Sequence, residues 1–483
     1  MKFASIQRLL GLLAGWSSLM MLPPALVGWW YRDGTDSLFL ISAACLVGIG
    51  ATVYFPARGA ARDLRLRDGF LAVVAGWLTL ALVGTVPFLL LAVPHIGFVD
   101  ALFESMSGLT TTGATILNGL DALPRGLLYY RQQLQWLGGL GIIVLAVAIL
   151  PILRVGGMQL YRAEMPSPLK DTKLSPRIAE AAKSLWMIYL SITVLCALSY
   201  WLAGMQLFDA IGHSFSTVAI GGFSTHDASF AWFNSPTIEF VAMIFMVIAG
   251  MNFALHFTAW RRASAQPYFQ DTELKVYMVL LIVAAALASL ALFADGTFAT
   301  LPESIRYASF QAISMLTTAG FTSTDFHLWP GFVPVMLISL AFIGGCAGST
   351  AGGMKVIRAI LLYRLSVREI RRLIHPHAIV NVKYGGHNAA PQVLDAVLGF
   401  FFLFIGTTAI LSVLVNATGP DILTSFSAVA ACITNLGPGL GDVGFSYAAL
   451  TPWAKSFLVF AMLAGRLEIY TVLVLLTPVF WRD

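Results

Sequence analysis

Apolar residues run along this chain in blocks of about 20, the length a helix needs to cross the hydrocarbon of a bilayer, and the blocks hold almost no charge. They fall at residues 9 to 30, 38 to 55, 70 to 92, 132 to 153, 184 to 204, 237 to 260, 275 to 294, 332 to 363, 393 to 416 and 453 to 480. Spanning helices, not a barrel, are predicted. After the first two blocks, each successive pair is separated by a stretch too short and too polar to cross. The unit is span, half-span, span, and it occurs four times.

Each half-span ends in a related glycine motif. The copies are Thr110-Thr111-Thr112-Gly113-Ala114, Ala219-Ile220-Gly221-Gly222-Phe223, Thr317-Thr318-Ala319-Gly320-Phe321 and Thr434-Asn435-Leu436-Gly437-Pro438. Counting back the same distance from each glycine gives Asp100-Ala101, Asp209-Ala210, Tyr307-Ala308 and Thr424-Ser425, and one common position holds Ser107, Ser216, Ser314 and Ala431. A short helix of about ten residues is predicted before each motif, entered in two repeats through an aspartate that suits a helix N-terminus. Such a helix must dip in and return as an extended loop, which membrane depth permits only where the backbone is buried in protein or lines an aqueous cavity. Loops rich in Gly and Thr can turn several carbonyls toward one axis and replace the water shell of a monovalent cation. The candidate filter is therefore Thr110 to Gly113, Ala219 to Gly222, Thr317 to Gly320 and Thr434 to Gly437. Tight packing of small residues between helices is the plainer reading of any one copy; four copies in the same context favour one ring.

Composition agrees with the pattern. The chain has 483 residues, 58% of them hydrophobic and 11% charged. Its net charge of +5 lies in loops and follows topology rather than nucleic-acid binding. Arg58, Arg62, Arg65 and Arg67 fix the loop Ala57 to Asp68 in the cytoplasm, and the segments Arg154 to Lys183, Arg261 to Lys275 and Arg358 to Lys383 fall on the same side. Both termini are then cytoplasmic. The run after Met1 to Arg8 continues to Tyr31 without a small-residue cleavage site, so the first helix is expected to stay. Asp100, Glu104, Asp209, Asp227, Glu303, Asp325, Asp421 and Asp442 fall on the outer side; any one of them reads equally as a solvated loop residue, and their common side is what suggests an acidic mouth. Cys45, Cys196, Cys346 and Cys432 have no paired spacing and read as small buried hydrophobes.

Two further features stand out. Gly344, Gly345, Gly348, Gly352 and Gly353 undermine helix continuity from Ile343 to Lys355, beneath the filter, where irregular backbone lines a cavity and can block it; a kink that serves packing alone is the alternative. This segment lacks the adjacent Gly-Lys-Ser/Thr and the preceding strand of a nucleotide-binding loop. Arg466 lies inside the last apolar block, where a charge costs about 2.5 to 3.5 kcal/mol on insertion scales and is functional by default; a structural pair with an acid elsewhere is the alternative.

The filter motifs, with Trp136-Leu137-Gly138-Gly139-Leu140-Gly141, Tyr161-Arg162-Ala163-Glu164-Met165-Pro166, Gly348 to Lys355 and Gly465-Arg466-Leu467-Glu468, resemble the TrkH branch of the Trk/Ktr/HKT superfamily over essentially the whole chain. The added helix pair at the start separates it from the shorter KtrB relatives. The resemblance implies potassium uptake across a bacterial cytoplasmic membrane. It implies a homodimer with one pore per subunit, and a cytosolic TrkA-type ring that binds the nucleotide and gates the pore. It also implies a gate built from the glycine-rich loop, Lys355 and Arg466, with Arg466 bonding loop carbonyls and opposing cations. Gly113 occupies a position that is serine in some sodium-selective members.

The expected architecture is all-α and polytopic: a helix pair (residues 1–68) and four span, re-entrant helix, span repeats at 69–155, 156–262, 263–385 with a broken second helix, and 386–483. An ion-coupled secondary transporter is the alternative; the sequence offers no discontinuous helix pair in corresponding halves and no intramembrane acid placed as a proton relay. An intramembrane enzyme would need a nucleophile and a base, and Ser349, His213 and His256 lie on separate segments, His213 packing behind its short helix.

Overall fold

The computed structural model describes residues 1–60, 65–144, 174–378 and 380–482. The second half of the block at 132 to 153, the Tyr161 to Pro166 motif and most of the Arg154 to Lys183 loop lie outside these residues. Among the described residues, six helices are long and apolar enough to cross a membrane, and a seventh span is bent.

The first span is α1 (Phe3–Ser17) and α2 (Leu22–Tyr31), joined by a single 3-10 turn before Pro23 and Pro24, whose missing N–H groups interrupt the ladder. It returns through α3 (Thr35–Tyr54). Glycines bring these helices together: a Cβ on Gly50 would sit 2.5 Å from the Gly15 backbone nitrogen, and one on Gly11 2.6 Å from that of Tyr54.

Four units follow. The first comprises α4 (Leu66–Gly84), the short helix α5 (Phe98–Leu109) and α6 (Arg125–Val144). The second has α7 (Leu174–Leu202), the short α8 (Leu207–Ala219), and a bent pair α9 (Pro236–Ala249) and α10 (Phe253–Arg262). The third has α11 (Thr272–Ala294), α12 (Leu301–Thr317), α13 (Val333–Ile343) and α14 (Val356–Ile374). The fourth has α15 (Pro391–Asn416), α16 (Ile422–Ile433), α17 (Pro452–Arg466) and α18 (Tyr470–Leu475). Before it, Lys383–Tyr384 and His387–Asn388 form a small antiparallel hairpin.

Packing closes the units into a ring. Besides its own neighbours, each short helix rests on the second helix of the preceding unit: α8 on α6, α12 on α9, α16 on α13, and α5 on α17. The last contact joins the end of the chain to its first unit. The distribution of polarity is that of a membrane protein. Ile282, Leu290, Phe402, Ile410 and Val413 point outward, while Glu104, Arg131, Gln132, Gln135, His213, Gln311 and the motif threonines are buried.

Several boundaries differ from the sequence reading. The block at 237 to 260 is not one helix but bends by 90° at residues 250–252, where Asn252 accepts from the Ala254 amide and starts a new helix. The last block stops at Arg466 and restarts at Tyr470. Discontinuous second helices thus occur in units two, three and four, whereas the sequence marks a break in the third alone; the breaks in units two and four correct the expectation of no discontinuous pair in corresponding halves. The short helix of unit three has 17 residues rather than about ten. Cys45 is exposed, whereas the other three cysteines are buried.

Overpacking a close helix contact costs about 1 to 3 kcal/mol. Gly50→Leu is therefore expected to lower the melting temperature of the detergent-purified protein by several degrees, read by size-exclusion after heating. Substitution at Gly48, whose Cβ would meet open space, should leave it unchanged.

Candidate functional site

All four short helices end in the same turn. The residue two before each motif glycine, Thr111, Ile220, Thr318 or Asn435, has φ between 52° and 63°. The next residue's N–H reaches back to the carbonyl of Ser107, Ser216, Ser314 or Ala431, at 2.8 Å in every copy. This is a Schellman ending, unusual in that none of its left-handed residues is glycine. The conformation costs an L-residue about 1 to 2 kcal/mol, and the two adjoining units of the ring hold it in place.

The motif glycines, Gly113, Gly222, Gly320 and Gly437, also have positive φ, from 75° to 100°. Their missing side chains are what close the ring. A Cβ on Gly113 would lie 2.1 Å from the Gly221 carbonyl oxygen, on Gly222 2.3 Å from that of Ala319, on Gly320 2.0 Å from that of Leu436, and on Gly437 2.7 Å from that of Thr112. Each glycine abuts the carbonyl preceding the glycine of the next unit, and the fourth returns to the first.

Side chains brace this backbone from outside. Gln135 Nε2 donates to the Gly221 carbonyl at 2.5 Å while its Oε1 accepts from the Phe223 amide at 3.1 Å. Tyr447 donates to the Gly437 carbonyl at 2.7 Å. Thr110, Thr317 and Thr434 donate to their own helices one turn back, so their hydroxyls finish the short helices. Asn435 Nδ2 links Thr112 Oγ1 and the Met462 carbonyl, each at 3.0 Å.

The loop between α13 and α14 lies against the inner end of this ring. Gly353 N–H donates to the Thr434 carbonyl at 3.0 Å, Gly352 N–H to Thr318 Oγ1 at 2.7 Å, and Thr350 Oγ1 to the Val218 carbonyl at 3.0 Å. A Cβ on Gly352 would come within 1.9 Å of the Thr434 carbonyl oxygen, so only glycine fits this approach. Gly344, Gly348 and Gly353 take positive φ, as does Lys355, whose ammonium donates to the Ala351 carbonyl. Gly345 accepts from Val356 N–H at 3.0 Å, closing the loop on itself. Arg466 is buried and donates to the Thr350 carbonyl at 2.9 Å. Glu468 pairs instead with Arg358.

All three helix breaks therefore meet here. Cys346 N–H bonds the Gly250 carbonyl at 2.9 Å and Phe253 N–H bonds that of Gly348 at 3.0 Å, tying the bend of unit two to the loop of unit three.

Other groups were not singled out by the sequence reading. Buried Glu273 accepts from Ala347 N–H at 2.8 Å and Ile357 N–H at 3.0 Å, holding both ends of the loop. Nothing local marks it, because its partners lie 74 and 84 residues away. The acidic mouth is also smaller than expected. Glu104 is fully buried on Arg131, and Asp100 pairs with Lys455 at 2.7 Å. Asp209 takes the Thr225 hydroxyl at 2.7 Å and does not cap its helix; Asp421 does cap, accepting from Leu423 and Thr424. His213 does lie behind its short helix, bonding the Asp209 carbonyl and Ser224 Oγ at 2.9 Å each.

The fold and site define a class: a polytopic helical membrane protein in which four short helices present a closed ring of backbone carbonyls. The family model described as "TrkH: Cation transport protein" matches residues 36–481, and the chain belongs to that family. A relative from Vibrio parahaemolyticus, "Trk system potassium uptake protein TrkH", is 51% identical over 485 residues and 100% of both chains. One of the same name from Escherichia coli is 49% identical over 483 residues, again covering all of each. The "Crystal Structure of the Potassium Transporter TrkH from Vibrio parahaemolyticus" superposes with a TM-score of 0.93 at 48% identity, covering 100% of both chains.

Outside the ring, His226 of unit two bonds Asp121 of unit one, lies 3.6 Å from Asp209 and stacks on Trp232. Burial opposes its charged form, but the two carboxylates, Asp209 first, outweigh burial and raise its pKa above the ordinary histidine value. A raised folded-state pKa contributes stability that is complete below the ordinary histidine range and lost as pH rises through the raised value. The melting temperature of the parent is expected to fall on going from acidic to neutral pH, and His226→Gln to flatten that fall. Parallel pH profiles would dissociate the histidine from outer-loop stability.

Proposed function

We propose that this chain is a potassium uptake pore of a bacterial cytoplasmic membrane, with the ring of four glycine strands as its selectivity filter. The observation that carries the reading is the closure of that ring through four identical helix endings. Backbone oxygens set around one opening can replace the hydration shell of an alkali cation, and helix C-termini aimed at it add partial negative charge. Potassium comes from the names of the relatives. The filter residues are Thr110 to Gly113, Ala219 to Gly222, Thr317 to Gly320 and Thr434 to Gly437, and each repeat of the expected division at 69–155, 156–262, 263–385 and 386–483 supplies one quarter.

The loop from Gly344 to Lys355 acts as the gate. It seals the inner end of the ring through Gly352 and Gly353, and Arg466 holds it shut by its bond to Thr350 while its charge opposes cations. Opening is driven by a cytosolic TrkA-type partner that binds the nucleotide. The working form is a homodimer with both termini in the cytoplasm. Breaks in successive units, all in the same orientation and meeting beneath one ring, fit a gated pore better than two alternating sites.

Tracer potassium uptake into liposomes, with sodium as competitor, tests the filter. The parent is expected to pass potassium in preference to sodium. Gly113→Ser, whose Cβ would press on the Gly221 carbonyl, should reduce that preference by about tenfold, or ~1.4 kcal/mol. Absence of flux after adding the cytosolic partner and nucleotide would instead favour the coupled transporter.

A second prediction concerns the gate. Hydrogen bonds to charged groups are worth about 1.5 to 3 kcal/mol, so Arg466→Ala is expected to raise basal potassium flux by about tenfold or more without the partner. Unchanged flux at equal amounts of folded protein would remove Arg466 from the gate.

A further inference from the structure

Nine residues before each motif glycine lies one position of the short helix, occupied in turn by Glu104, His213, Gln311 and Ala428. The first three are fully buried polar side chains, and each reaches the strand that leaves the ring just beyond its glycine. Glu104 accepts from Thr115 Oγ1 and from Ile116 N–H, both at 3.0 Å. His213 Nε2 meets Ser224 Oγ at 2.9 Å, and Gln311 Nε2 donates to the Phe321 carbonyl at 3.5 Å. In the fourth unit, where Ala428 cannot do this, Ser427 Oγ accepts from the Leu440 amide at 2.9 Å and the Tyr447 hydroxyl donates to the Gly437 carbonyl.

The first of these clamps is the only one of the four carried by a carboxylate, and its cation belongs to another element. Arg131 on α6 donates from Nε to Glu104 at 2.7 Å, from Nη2 to Thr115 Oγ1 at 3.0 Å and from Nη1 to the Ser224 carbonyl at 3.3 Å. Its guanidinium also lies 4.2 Å from the centroid of Phe223, the residue after Gly222. Side-chain exposure is 1% for Arg131 and 0% for Glu104, so the pair is shielded from both water and lipid. One planar group thus spans the strands leaving the ring in units one and two. A buried ion pair adds little net stability, because desolvation offsets attraction, and its best-attested use is to specify one arrangement.

We propose that the Glu104–Arg131 pair is a specificity-determining positioning device, which sets the spacing of the first two filter strands and so the discrimination between potassium and sodium. The inference rests on the reading of the ring as a cation filter. A ring that separates two alkali cations must resist closing around the smaller or opening for the larger. Thr112, Gly113, Gly221 and Gly222 lie between anchors at both ends: the helix ending on one side, the Thr115 and Ser224 contacts on the other. Lysine could keep the charge of Arg131, but it offers one compact donor group and not a fork that reaches three oxygens.

The test is potassium and sodium uptake by liposomes containing the full chain, for the parent, Arg131→Lys and Thr115→Val. Melting temperature and the amount of folded protein are measured alongside. Arg131→Lys should keep the buried pair but lose the bridge, and Thr115→Val should keep the pair and the Ile116 amide bond but lose the hydroxyl through which both Glu104 and Arg131 hold the first strand. Each is expected to lower the potassium-to-sodium ratio about three- to tenfold, the factor carried by one hydrogen bond. A ratio unchanged in Thr115→Val, and in Arg131→Lys where that variant folds, would overturn the proposal and leave the pair a structural brace. Should Arg131→Lys not fold, Thr115→Val decides alone. A parent that passes neither cation once the cytosolic partner and nucleotide are added, or passes both equally, would overturn the filter reading itself; a selective parent with unaltered variants would overturn only this inference.

Discussion

At membrane depth a backbone amide or carbonyl has no water to fall back on, and the architecture of this protein follows from how four short helices satisfy their last carbonyls. Each ends in a left-handed residue whose successor bonds back across the final turn. That ending reverses the chain, frees the next few residues from helix geometry and leaves a strand to run outward through the centre. Everything around it serves to hold the ending: the second helix of one unit lies against the short helix of the next, and the helix breaks bring loop backbone to its inner side.

The same constraint explains why the interior is polar and the exterior apolar. Strands and loops without a sheet must have their amides and carbonyls supported by side chains, and Gln135, Tyr447 and Thr318 supply that support. These are costly residues to bury alone, and here each bonds a strand or loop that would otherwise be orphaned.

Much of this was legible in the sequence. The glycines at 113, 222, 320 and 437, aligned with equal spacing to the start of each short helix, gave the four-fold order, and the cluster from Gly344 to Gly353 marked the interrupted helix. The breaks in units two and four were not legible. Gly250 and Asn252 are a mild signal within an apolar run, and Arg466 to Ile469 carry no glycine or proline at the break itself. Long-range pairs were hidden for another reason. Glu104 is indistinguishable by composition from a solvated outer acid, and only the fold brings Arg131 to it from 27 residues away. The polar side chains nine positions before the first three glycines were a usable signal, visible once the copies were superimposed.

The four motifs share little beyond their final glycine, yet they build one ring. Their contacts with one another explain how: at each junction a glycine carbon rests on a neighbour's carbonyl oxygen, and both partners are main chain. The joint itself makes no use of the side chain carried by the residue that owns the oxygen, so residues as different as Thr112, Gly221, Ala319 and Leu436 each supply it. The sequence of each quarter is accordingly free to diverge toward separate duties, one receiving a tyrosine, another the edge of the loop, while the circle they complete keeps its circumference.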